Sequence, residues 1–212
     1  PSQVKAKRID ACIVAIKPPV LKGEATTLAT IAQSGTLMLS IAAGTSVAAL
    51  QTAWGKKARI IRAMPNTPGA IGSGITGLYA AKSATAADRR KADALLSALG
   101  ETLWVKSEDL IDSVTAVSGS GPAYVFHLAE AMAAAGVAAG LKAADAERLA
   151  RATVAGAGAL LAADNAPTDA LRQAVTSPGG TTAAALAVLM PELTGLMTRA
   201  VAAAKKRAEE LR

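Results

Sequence analysis

The chain has 212 residues, 51% of them apolar but only 2% aromatic, and a formal charge of +7. Such a length fits one or two domains, and the single cysteine, Cys12, excludes a disulfide framework or a cysteine–zinc cluster. The apolar residues form no run of about 18, so no membrane span is expected, and the basic residues are scattered without interleaved aromatics, which argues against a nucleic-acid surface.

The first apolar run, Ala11 to Ile16, is closed by Lys17-Pro18 and reads as a buried parallel strand. Cys12 belongs to this run as a small hydrophobe. Helical spacing from Val20 to Gln33 follows, then a strand over Thr36 to Ile41 that stops at Ala42-Ala43-Gly44. A short helix over Ser46 to Trp54 leads to a third strand, Ala58 to Met64, and to the turn Pro65-Asn66-Thr67-Pro68. Two more strands are expected over Ile75 to Ala81 and Thr102 to Lys106. The helix between them starts with a capping box at Thr85 and Asp88 and closes at Gly100. Alternating strands and helices imply a Rossmann-like α/β domain with a doubly wound parallel sheet.

From Ser107 onward the pattern is helical throughout. Ser107-Glu108-Asp109 opens one helix with acids in its first turn. Pro122 opens another that reaches Ala139, followed by Ala144 to Ala163, Thr168 to Ala174, Thr181 to Met190, and Glu192 to Leu211 after a break at Pro191. The chain therefore divides into an α/β part, residues 1–106, and an all-α part, residues 107–212. Alanine-rich helices bury little area each, so the helical part is expected to complete its core against a partner subunit, giving a homodimer or a larger homo-oligomer.

Four motifs carry the chemistry. Val175-Thr176-Ser177-Pro178-Gly179-Gly180-Thr181-Thr182 joins a proline, two glycines and two threonines at a helix start, where bare amides attract a carboxylate. Ala116 to Tyr124 contains Ser118-Gly119-Ser120-Gly121-Pro122; it follows no strand and lacks the lysine of a phosphate loop. Ala15-Ile16-Lys17-Pro18 and Met64-Pro65-Asn66 lie at the carboxyl ends of strands, as does Ala42-Ala43-Gly44, and open α/β sheets bind ligands there. Taken singly, each loop reads as ordinary turn chemistry. His127, the only histidine, lies mid-helix and reads as a packed or interface residue. No pattern of histidines, cysteines or clustered acids suggests a metal.

In this order and at these separations the motifs closely resemble pyrroline-5-carboxylate reductase, over nearly the whole chain. The resemblance implies reduction of 1-pyrroline-5-carboxylate to L-proline with NADP, or alternatively NAD, in the cytoplasm. It places Ala15, Ile16, Lys17 and Pro18 on the ribose and nicotinamide side of the cofactor. It places Ala42, Ala43, Gly44, Met64, Pro65 and Asn66 near the nicotinamide. Val175, Ser177, Gly179, Gly180 and Thr181 would line the substrate, and Thr182 would be the hydrogen-bonding threonine beside the imine nitrogen. Family members open with a glycine-rich pyrophosphate turn that is not found before Ala15, so the first part of the nucleotide-binding domain is expected to be missing. Two other readings stay open: a hydroxy-acid dehydrogenase, whose base could only be Lys142, poorly placed after the helix-ending Gly140, and a non-catalytic dimerising module.

Overall fold

A computed structural model describes residues 9–16 and 18–211. They form two compact units, one made of the residues up to Pro122 with those from Val201 onward, the other Ala123–Ala200. The change from strands to helices comes at Trp104, near the expected boundary, but the compact division falls at Ala123 because the first helices after the sheet pack back onto it.

The first unit is built on five strands, β1 (Ala11–Val14), β2 (Leu37–Ser40), β3 (Arg59–Met64), β4 (Gly74–Ala80) and β5 (Gly100–Trp104), in that spatial order. β1, β2 and β3 are parallel, with Met38 opposite Cys12 and Ile60. β4 runs antiparallel to β3, Leu78 facing Ala63, and β5 is parallel to β4. The sheet is thus mixed, where an all-parallel one was expected. The reason is the short connection over residues 65–73: a parallel crossover needs about a dozen residues or more, whereas a tight turn reverses the chain.

Alternate side chains of the central strands feed two cores, one on each face. Met38 and Ile60 pack with Leu28, Leu50 and Trp54. Leu37, Leu39, Ile61 and Leu78 pack with Ala92 and Leu96. The helices that cover the sheet are α1 (Pro18–Gly23), α2 (Ala25–Gln33), α3 (Val47–Trp54) and α4 (Ala86–Leu96). The stretch read as one helix from Val20 is therefore two, divided at Glu24. The capping box on α4 forms as expected, Thr85 Oγ1 accepting from Asp88 N at 3.1 Å and Thr85 N donating to Asp88 Oδ2 at 2.9 Å.

After the sheet come α5 (Leu110–Val114) and a wide turn over Thr115–Gly119. α6 (Gly121–Ala138), α7 (Ala143–Ala163), α8 (Thr168–Ala174) and α9 (Thr181–Glu210) follow. Pro191 lies inside α9 and does not break it. The carbonyl of Ala187, left without its usual partner, sits on an exposed residue where water can serve it, and the alanine-rich flanks favour propagation. Because the helix runs through Pro191-Glu192, it joins two apolar halves. By length and composition alone α9 is long and apolar enough to cross a membrane, which the sequence reading had not expected.

The second unit buries almost nothing within the chain. Among its described residues only Ala146 and Ala150 are buried hydrophobics, while Phe126, Leu128, Leu160, Val188 and Leu189 are exposed. A helical body of this kind lacks a core of its own.

Candidate active site

The first unit gathers the strand-end loops. Ala42, Ala43 and Gly44 follow β2 and line a small pocket of about 40 Å³ with Arg62, Met64 and Asp112. Ser40, buried at the end of β2, accepts from Ala42 N at 3.4 Å and shapes the loop. The turn at Thr115–Gly119 comes against the same strand end, since a Cβ on Gly119 would stand 2.9 Å from Met64 Cε. Ser118 Oγ donates to Val114 O at 3.0 Å and holds that turn. The serine–glycine motif and the Met64 loop, distant in sequence, therefore meet.

Two residues to which the sequence assigned no part in a site anchor this corner. Arg62 on β3 is buried, and its Nη1 donates to Glu108 Oε1 at 2.6 Å. The same carboxylate oxygen accepts from Val47 N at 2.7 Å, at the first turn of α3. Glu108 thus does not serve the helix after it, as its position had suggested. It ties β3 to the start of α3, where a negative charge suits both the guanidinium and the helix dipole. No local pattern signals a pair 46 positions apart; the only hint was an arginine inside an apolar strand.

Other expected cofactor residues fall as follows. Ala15 is exposed just after β1, Ile16 packs against the first core, and Pro18 begins α1. Lys17 lies outside the described residues. Asn66 Oδ1 accepts from Ile75 N at 3.0 Å, so its carbonyl closes the turn between β3 and β4. Pro65 joins it to Met64. Ala42, Ala43 and Gly44 carry little or no side chain, and the backbone of Leu211 packs close to Gly44. The pocket is also lined by Ala208 of α9 and by Leu211, which follows it.

The second unit holds the glycine bend. Val175 ends α8 and is exposed. Thr176 Oγ1 donates to Arg172 O at 2.6 Å. Gly179 has φ +72°, a left-handed conformation that a side chain resists. A Cβ on Gly180 would overlap Ser177 Oγ and lie 3.2 Å from Ser177 O. Gly180 N donates to Ser177 O at 3.0 Å, so this amide is used within the bend and does not join the expected carboxylate cradle. The first helical bond of α9 is Ala184 N to Gly180 O, 3.1 Å. The amides of Thr181, Thr182 and Ala183 precede it, and glycine as the capping residue brings no side-chain acceptor. Thr181 is exposed and Thr182 half-buried at this open helix end.

The remaining candidates carry no chemistry here. His127 is exposed and 3.0 Å from Glu130, so within the chain it is not packed. Lys142 is an exposed residue at the start of α7. Burial pushes the Cys12 thiol above its ordinary pKa, as suits a packed cysteine. No group of histidine, cysteine and acidic side chains able to hold a metal occurs among the described residues.

A Rossmann-like sheet with small-residue strand-end loops, followed by a helical unit with a glycine bend at a helix start, is the architecture of a nicotinamide-dependent oxidoreductase class, and the comparisons with known proteins place the chain in it. The family model for pyrroline-5-carboxylate reductase dimerisation matches residues 108–211. The chain is 40% identical over 203 residues to the pyrroline-5-carboxylate reductase of Pseudomonas aeruginosa, covering 95% of this chain and 74% of that one. It is 42% identical to that of Synechocystis, covering 99% and 78%. Among solved structures, the enzyme of Coxiella burnetii aligns with a TM-score of 0.90 at 39% identity over 95% of this chain and 76% of that one. The Plasmodium falciparum enzyme with NADP bound aligns at 0.79 and 28% identity, over 95% and 77%. The chain belongs to the pyrroline-5-carboxylate reductase family.

Proposed function

We propose that this protein reduces 1-pyrroline-5-carboxylate to L-proline, the last step of proline biosynthesis, using NADPH or alternatively NADH. The family membership supports the reaction, and the open helix start after Gly179-Gly180 is the observation that carries the site. Amides of Thr181 and Thr182, helped by the N-terminal field of α9, hold the substrate carboxylate. Val175, Ser177 and Gly179 shape the bend around it. A carboxylate fixed there sets the ring so that the Thr182 hydroxyl reaches the imine nitrogen. A threonine hydroxyl is a poor free acid, so its part is orientation and proton relay through water. Ala15, Ile16, Lys17, Pro18, Ala42, Ala43, Gly44, Met64, Pro65 and Asn66 hold the dinucleotide. Reduced nicotinamide, when bound, supplies the hydride that no side chain can.

The chain's functional division is residues 1–106 for cofactor and 107–212 for substrate and assembly. The exposed apolar helices support a homodimer, or a larger oligomer built from dimers, with the glycine bend near the subunit interface. We propose a cytoplasmic enzyme that binds neither nucleic acid nor membrane. Thr182→Ala tests the site: it should lower kcat about 10- to 100-fold, at or below the low end for a positioned proton-transfer group, with thermal stability kept. Unchanged turnover removes Thr182 from the mechanism.

A further inference from the structure

Strands β4 and β5 run opposite to β1, β2 and β3, so their carboxyl ends point away from the cofactor loops. A groove of about 540 Å³ lies where they end, lined by Tyr79, Lys82, Arg89, Trp104 and Lys106 among others. It shares no residue with the loops of the cofactor site.

The charge in the groove is of one sign. Lys82, Arg89 and Lys106 are exposed, no lining residue is acidic, and none of the three forms an ion pair among the described residues. Both acids of α4 already have partners. Asp88 pairs with Arg59 at 2.9 Å. Asp93 accepts from Trp104 Nε1 and from Thr102 Oγ1, each at 2.9 Å. That clamp fixes the indole, and the Arg89 guanidinium lies over the ring, 4.7 Å from its centroid. This stacking biases the exposed Arg89 side chain toward the groove, which lowers the ordering cost of binding. A guanidinium fork with two flanking ammonium groups matches the several oxygens of linked phosphates better than a single carboxylate.

We propose that this groove is an anion site that takes the di- or triphosphate group of a small ligand. The chain has two tryptophans, and the other, Trp54, is fully buried, so a change in indole emission on titration reports the groove. Inorganic tripolyphosphate, added at constant ionic strength, should give a saturable change with Kd below about 1 mM. The double variant Lys82→Ala, Lys106→Ala leaves the arginine–tryptophan stack intact and should bind at least about tenfold more weakly. Lys57→Ala, away from the groove, should bind as the parent does. A parallel titration with ATP identifies the source: tighter binding than tripolyphosphate points to a nucleotide, equal binding to the phosphate chain alone. Equilibrium dialysis repeats the measurement without relying on emission. If dialysis finds no saturable binding, or equal binding to the double variant, the proposal is wrong. Reductase activity enters neither readout, so this outcome is independent of the catalytic reading.

Discussion

Gly180→Ala probes the anion cradle most directly. The added Cβ overlaps Ser177 Oγ and stands 3.2 Å from Ser177 O. The hydroxyl can rotate away at a cost of about 1 kcal/mol. The carbonyl cannot, because it accepts the 3.0 Å bond from Gly180 N that closes the bend. The backbone must therefore give by a few tenths of an ångström just before Thr181 and Thr182. Charge-assisted hydrogen bonds are worth about 1.5–3 kcal/mol each, and losing half of two of them costs roughly 2 kcal/mol. That corresponds to a KM for pyrroline-5-carboxylate raised roughly 30-fold. A carboxylate is held equally in the ground and transition states, so kcat should change little. Gly179→Ala is the companion: its Cβ meets nothing within 4 Å, but φ is +72°. It should destabilise by about 1 kcal/mol through backbone conformation, with a smaller effect on KM. The assay follows NADPH oxidation against substrate concentration, with thermal unfolding alongside. An unchanged KM for Gly180→Ala, in a protein that melts normally, would falsify the cradle.

Glu108→Ala leaves Arg62 buried without its partner and uncaps Val47 N; it should cost about 3 kcal/mol in chemical denaturation, and a loss under about 1 kcal/mol would mean the pair contributes little. Phe126→Asp places a charge on a helix whose apolar side chains are exposed within the chain, so sedimentation should show dissociation toward monomer; an unaltered assembly would remove α6 from the interface. Cys12 has a pKa raised by burial, so it carries less thiolate at neutral pH than a free cysteine. Labelling by a thiol reagent should be slow near neutrality and rise only above the ordinary cysteine range. The unfolded thiol ionises first, so the native state holds more protons through that window and stability falls as pH rises. Rapid labelling at pH 7 in the folded state would contradict this.

What the sequence disclosed, and what it hid, follows from the range of the forces involved. The strands were legible because β1, β2 and β3 are apolar on both faces, and the bend at Gly179-Gly180 was legible because a turn is fixed by neighbours in the chain. The direction of β4 was not. Its residues read the same in either orientation, and only the brevity of the connection after Met64 reveals that it turns back. That reversal puts the carboxyl ends of β4 and β5 opposite the cofactor loops and creates the cationic groove. The pairing of Arg62 with Glu108 escaped notice for a similar reason. Each looks like a surface charge until the fold brings β3, the start of α3 and the chain after β5 to one point. Pro191 shows the reverse error: a strong local rule for breaking a helix lost to favourable flanks and an exposed carbonyl. So the bend proposed for the substrate is encoded locally, while the corner beside the proposed cofactor loops depends on contacts across the chain. Substitutions at Arg62 or Glu108 should therefore act on stability and on the affinity for dinucleotide together, whereas substitutions at Thr182 should act on turnover alone.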